Sequence, residues 1–258
     1  MFRWLSSRVV RFDNSPSCKA FCLGMLPYTD HQVLVDWYTE PMGLIRSIVR
    51  LGKKDSLRSS LVPLNLVEIG LSGKEQASLL RAQIHQVHRQ LFDVSTSFLS
   101  LTLLQHWCFL IRKSQPDHQA DPKVFRLLEH VSTFISIGPD KGKLAFANLY
   151  FELWLLALNG DFPILRKRSD LEPLEGGGFR VRGSEFVMVT NAMFSDADAV
   201  LLTNCFQQTI EEFLHNAIQY PGPDCLFEAT GLLWDTVVEK KKYTRTMLMD
   251  CFREKGIL

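Results

Sequence analysis

Net charge is what this chain has least of: 29 Lys and Arg stand against 28 Asp and Glu, leaving +1 over 258 residues. The molecule is not a polycation, so any surface that attracts nucleic acid must be local. No apolar run reaches the roughly 18 residues needed to cross a bilayer. The longest candidate, residues 99–111, is interrupted by Thr102, Gln105 and His106. No Gly-x-Ser-x-Gly elbow and no His-Glu-x-x-His pair is present, so the common hydrolase and zinc-protease signatures are missing. Gly176-Gly177-Gly178 is followed by no Gly-Lys-Ser/Thr and preceded by no buried strand, which excludes a phosphate loop. No internal repeat or low-complexity tract appears. No signal peptide precedes the six cysteines (Cys18, Cys22, Cys108, Cys205, Cys225, Cys251), and their spacing is irregular. A reducing, cytoplasmic setting is expected rather than a disulfide framework. Arg3, Arg8 and Arg11, with no acid before Asp13, weakly resemble an organelle transit segment, but a ragged N-terminal extension over residues 1–17 is the preferred reading.

What is present is core material. The hydrophobic fraction is 46% and the charged fraction 22%, enough for one or two folded domains. Residues 19–64 carry short apolar bursts (Phe21, Leu23; Val33, Val35; Leu44, Ile48, Leu51) broken by Pro27, Asp30, Pro41, Gly43 and Gly52. Such spacing predicts several short strands in a small all-β barrel or sandwich. A further strand is expected over residues 62–71. The stretch 46–58 reads as a basic loop, with Arg46, Arg50, Lys53, Lys54 and Arg58 against the single acid Asp55. A small barrel with a basic loop is a common platform for nucleic acid, the cations neutralising phosphates with little sequence preference. Tyr28, Trp37 and Tyr38 are candidates for base stacking. Tyr28, beside a turn, is the best of them, because Trp37 fits a barrel core equally well.

From residue 97 onward the period is helical. Phe98, Leu101, Leu104, Cys108 and Ile111 recur at threes and fours until Pro116 and Asp117. Asp121 as N-cap and Pro122 as first helical residue open a second helix, lined by Val124, Leu127, Leu128, Val131 and Ile135 and closed by Gly138-Pro139. Residues 144–159 are apolar all round and read as the buried centre of a bundle, stopped by Gly160. Runs at 179–182 and 186–189 predict a small hairpin. Ser195, with Asp196 and Asp198 in the first turn, starts another helix whose stripe is read from Val200 through Ile218. A last helix covers residues 226–238. Lys240-Lys241-Lys242 with Arg245 forms a second basic patch.

Other polar clusters carry less. His85-x-x-His88 has no third ligand at useful spacing, so no metal is expected. Cys18 and Cys22 share one face of a predicted strand, roughly 13 Å apart and too distant to bridge. Core packing accounts for them. Asp196 and Asp198 are explained by helix-start chemistry rather than acid–base work. No nucleophile–base spacing supports catalysis, so the chain is read as a non-enzyme without cofactor.

The order of these features resembles the RecO family of recombination mediators. Lys19-Ala20-Phe21-Cys22-Leu23 with Pro27-Tyr28 resembles its first strand and turn, and Tyr38-Thr39 with Gly43 its Phe-Thr-x-x-x-Gly step. Gly52-Lys53-Lys54 with Ser56 and Leu61-Val62-Pro63-Leu64 is similar to its basic loop and next strand. Phe151-Glu152-Leu153 with Gly160 and Pro163 resembles its central helix, and Phe194-Ser195-Asp196-Ala197-Asp198 the start of its last helix. The resemblance spans about residues 18–220. It implies an α+β chain: an OB-fold barrel over residues 18–84 and a helical domain over 85–258 with a small zinc-less hairpin. It also implies that residues 75–83 form the last barrel strand, against their local helix preference. Implied partners are single- and double-stranded DNA, a RecR-like protein, the tail of a single-strand-binding protein and, indirectly, RecA, with no membrane. The implied role is strand annealing and RecA loading in DNA repair, in the cytoplasm and at the nucleoid. Two departures stand out. Residues 164–192 hold no cysteine where many members carry four zinc ligands, and Leu149-Tyr150 stands where members often have Arg before Phe-Glu-Leu. The missing zinc ligands and the modest charge surplus of the first 73 residues, nine Lys and Arg against six Asp and Glu, motivate the alternative of an interaction scaffold that has lost DNA binding.

Overall fold

A computed structural model of the chain describes residues 17–51, 59–73, 79–220, 224–238 and 243–256. Five strands, β1 (Ser17–Thr29), β2 (Gln32–Thr39), β3 (Gly43–Arg50), β4 (Leu66–Ser72) and β5 (Leu80–Arg89), close into a barrel in the order β1-β2-β3-β5-β4. All neighbours are antiparallel except β3 and β5. Alternation decides what fills the barrel. Ala20, Cys22, Val33, Val35, Trp37, Ile45, Val49, Val67 and Ile69 point inward and pack together, with the partly buried Cys18 against them. The shared face of Cys18 and Cys22 is thus a core face, and both thiols are free.

Three boundaries differ from the sequence reading. Arg46 and Arg50 lie on β3 rather than in a loop, because the alternation of inward Ile45, Ser47 and Val49 carries the strand through them. The strand expected from residue 62 begins at Leu66. Before it, a short 3-10 turn (Ser59–Leu61) and Leu64, at φ +62°, redirect the chain. The last barrel strand is indeed a strand, yet it runs Leu80–Arg89, carrying His85 and His88 with it.

Helices follow: α1 (Phe92–Ser95), α2 (Phe98–Ser114), α3 (Pro122–Ser136) and α4 (Lys141–Asn159). Next comes a three-stranded sheet of β6 (Leu171–Pro173), β7 (Phe179–Val181) and β8 (Val187–Met188), of which β7 and β8 form the expected hairpin. Helices α5 (Asp196–Gln207), α6 (Ile210–Ala217), α7 (Asp224–Val238) and α8 (Tyr243–Glu254) complete the chain. Twelve residues of α4 are buried, as an all-round apolar helix requires, and Gly160 ends it at φ +85°. On α2 the expected Leu104, Cys108 and Ile111 are buried, together with Leu99, Leu103, Trp107 and Leu110, while Leu101 is partly buried and Phe98 is 62% exposed, so the buried face is broader than the expected stripe and leaves out its first residue.

The contacts divide the chain into two units: Met1–Thr96 with Cys108–Phe125, and Ser97–Trp107 with Arg126–Leu258. The first is the barrel together with the end of α2 and the segment up to the start of α3. The second is the helical bundle with its small sheet.

Candidate nucleic-acid interface

Register on the outer face of the barrel is set by β2 and β3. Gln32 lies opposite Arg50, Leu34 opposite Ile48 and Asp36 opposite Arg46. On the far side of β2, Leu26 of β1 lies opposite Leu34 and Gly24 opposite Asp36. On the far side of β3, Arg81 of β5 lies opposite Ile48. Because side chains two apart share a face, these residues form rows across the strands. One row reads Leu26, Leu34, Ile48, Arg81, apolar and half-exposed with a cation at its end. The neighbouring rows hold Asp36 with Arg46 and Gln32 with Arg50.

Arg46 grips Asp36 with both arms of its fork: Nε donates to Oδ1 at 2.6 Å and Nη2 to Oδ2 at 3.1 Å. These bonds and the carboxylate charge hold the guanidinium more basic still than a free arginine. Arg50 and Arg81 are exposed and make no ion pair among the described residues. Arg81 is not among the sequence candidates, since residues 75–83 there carry a local helix preference; only the parallel pairing with β3 brings it beside Ile48. Lys53, Lys54 and Arg58 lie outside the described residues.

The aromatic candidates separate cleanly. Trp37 is fully buried and its indole Nε1 donates to Ser47 Oγ at 2.8 Å inside the barrel. Tyr38 is also buried. Its hydroxyl accepts from the Asp121 N–H at 3.2 Å and faces the Asp121 carbonyl at 3.4 Å. Neither can stack on a base. Tyr28 remains, 52% exposed on the β1 arm beside Met25 and Leu26, which are likewise exposed.

The remaining clusters take structural roles. His88 pairs with Glu68 at 3.3 Å, and no group of three metal-ligating side chains occurs among the described residues. Asp198 closes a capping box with Ser195, as the sequence predicts. Arg245 is not part of a basic patch: it is largely buried and bonds Glu152 and the Phe227 carbonyl. Residues 240–242 lie outside the described set. No helix among the described residues is long and apolar enough to cross a membrane.

Residues 15–89 match the family model described as Recombination protein O N terminal. That span holds all five strands of the closed barrel. Residues 15–89 are thus similar to the N-terminal domain of the RecO family. A curated relative, the DNA repair protein RecO of Gluconacetobacter diazotrophicus, is 26% identical over 121 residues, which cover 47% of this chain and 48% of that protein. The chain is thus matched to about half the length of that relative. In this barrel the Tyr38-Thr39…Gly43 step has a visible purpose. Thr39 Oγ1 accepts from the Met42 N–H at 3.1 Å and donates to the Gly43 carbonyl at 3.1 Å, fixing the β2–β3 turn, while Tyr38 reaches Asp121.

Proposed function

We propose that this chain is a DNA-binding recombination mediator of the RecO type. Its barrel holds single strands, and it brings complementary strands together and assists RecA loading together with a RecR-like protein and the single-strand-binding protein. The observation that carries this reading is the RecO N-terminal match on a closed barrel whose outer face sets Arg46, Arg50 and Arg81 around the half-exposed Leu26, Leu34 and Ile48. Cations there neutralise phosphates, and the apolar row with Tyr28 offers bases a surface free of hydrogen-bond demands; stacking contributes about 1–3 kcal/mol per base. Annealing follows from placing two like-charged strands on one positive surface. The role is non-catalytic, with no cofactor, in the cytoplasm and at the nucleoid.

The basic stretch of residues 53–58 supplies the test. Lys53→Glu with Lys54→Glu should reduce the slope of log affinity against log salt by about 1.4, two contacts at about 0.7 each on single strands. Melting temperature should hardly change. Unaltered polarisation of a labelled oligonucleotide would contradict the proposal. The alternative reading, a protein-interaction scaffold that has lost DNA binding, is favoured by the pairing of Arg46 with Asp36, which cancels one of the cations. It predicts no single-strand affinity even at low salt in the unmodified protein, with partner binding intact.

A further inference from the structure

Asp36 has a second cation. Arg112, near the end of α2 and within the same unit as the barrel, places Nη1 3.5 Å from Asp36 Oδ2, the oxygen that also accepts from Arg46. The carboxylate side chain is only 11% exposed, whereas those of Arg46 and Arg112 are 51% and 35% exposed. One buried acid needs one cation. Two guanidiniums share it, and Asp117 also bears on Arg46, so the local count is two cations to two carboxylates and what faces solvent is the remaining N–H donors of Arg46 rather than a surplus of charge. Of Arg46's five N–H donors, two are taken by Asp36 and the rest are not bonded to any described side chain. The backbone makes room for this arrangement. Gly24, opposite Asp36 on β1, has φ +153°, and a Cβ there would lie 3.2 Å from Arg112 Nη1.

We infer that Arg46 and Arg112, oriented by Asp36, form a clamp for one phosphodiester group of a single-stranded nucleic acid. Planar guanidiniums held in fixed orientation suit phosphate oxygens better than a mobile ammonium does. The apolar row Leu26, Leu34, Ile48 lies two residues along the same face from Asp36 and Arg46, so a strand gripped there lays its sugars and bases on that row. This continuity favours a nucleic acid, in which every phosphate is accompanied by a flat base, over an acidic peptide, in which flat apolar side chains are only occasional. Asp36 is a positioning residue: it touches no ligand and fixes the two that do. The inference rests on the proposed DNA binding and extends it to a residue outside the barrel strands.

The test uses the full chain, labelled oligothymidine and a salt series. Arg112→Gln should lower the log–log salt slope by about 0.7, one phosphate contact, and Arg112→Lys should restore the slope while recovering only part of the affinity. A second measurement needs no variant. Phenylglyoxal labels exposed arginines, and saturating oligothymidine should protect both Arg46 and Arg112 in the unmodified protein when read by peptide mass spectrometry. Wild-type slope in Arg112→Gln, or unprotected Arg112 at saturation, overturns the clamp. If Lys53→Glu with Lys54→Glu still weakens binding in the same assay, the DNA-binding reading survives that failure. An unmodified protein without oligothymidine affinity overturns both. Oligoglutamate protecting Arg112 where oligothymidine does not would assign the clamp to an acidic peptide and overturn it as stated.

Discussion

Gly43 shows how one atom organises the barrel's attachment to the segment behind it. Its φ is +65°, and a Cβ added there would lie 2.0 Å from the Gln119 carbonyl oxygen and 3.0 Å from the Ala120 nitrogen. Next to it, the His118 N–H donates to the Leu44 carbonyl at 2.9 Å, and Phe125 packs on Phe21 with ring centroids 5.1 Å apart. Backbone therefore rests on backbone, where nothing flexible can yield. Gly43→Ala combines a left-handed backbone cost of about 1–2 kcal/mol with an overpacking cost of about 1–3 kcal/mol. It should destabilise the protein by roughly 2–5 kcal/mol on those grounds. Urea denaturation measures this, and a loss below about 0.5 kcal/mol, the range of neutral surface changes, would mean that the 115–120 segment does not bear on the turn. The residues of this step were legible in the sequence as a motif. Its reason was not, because the contacts join positions some 75 residues apart.

Among the elements, four helices meet at one carboxylate. Glu152 of α4 is fully buried, with His106 Nε2 of α2 at 2.8 Å and Arg245 of α8 at 3.1 Å from Nε and 3.3 Å from Nη2. Arg245 crosses α7 at Gly231, where a Cβ would lie 2.6 Å from its Nη1. Burial alone would push the Glu152 carboxyl up. The Arg245 charge and the His106 hydrogen bond outweigh it and bring the group down to about 2 from 4.5. A lowered folded-state pKa means stability that is present in full above the unfolded value and lost as pH falls through the folded one. Stability from this cluster should therefore decline between pH 4.5 and about 2. Glu152→Gln leaves Arg245 without its countercharge, costing about 3–5 kcal/mol near neutral pH, and should flatten the pH dependence in that window. Urea midpoints for both proteins at several pH values decide this. Parallel pH curves would show that Glu152 is not ionised in the folded state. Helical periodicity revealed that α4 is central, but not that its Glu is inside, since an isolated charge on an apolar helix gives no hint of partners on α2 and α8. The converse error occurs in α5 and α6. The sequence stripe from Val200 to Ile218 reads as one helix. Yet Gln208 adopts an extended φ/ψ of −113°/156°, and Thr209 with Glu212 forms a fresh capping box. A Thr-x-x-Glu start inside a continuous apolar stripe is the local signal that periodicity alone overrides.

At the scale of the molecule, the near-zero net charge conceals a division. Met1–Thr96 with Cys108–Phe125 carries 15 Lys and Arg against 10 Asp and Glu, a surplus of five; Ser97–Trp107 with Arg126–Leu258 carries 14 against 18, a deficit of four. The cations of the barrel unit thus belong to a part of the chain whose sequence carries a net positive balance, while those of the helical unit belong to a part with excess acids. Long-range attraction to a polyanion depends on that local balance rather than on the total. Equal charge removal from the two units should consequently have unequal effects. Arg50→Gln with Arg81→Gln, both exposed on the barrel, should reduce the salt slope of single-strand binding by about 1.4. Arg166→Gln with Arg180→Gln, exposed on the helical unit, should leave the slope unchanged although the net charge falls by the same amount. Salt-series titrations of the two double variants, run beside the unmodified protein, measure the difference. If both lose affinity equally, binding follows the charge of the whole molecule, and the barrel face has no privileged place in it.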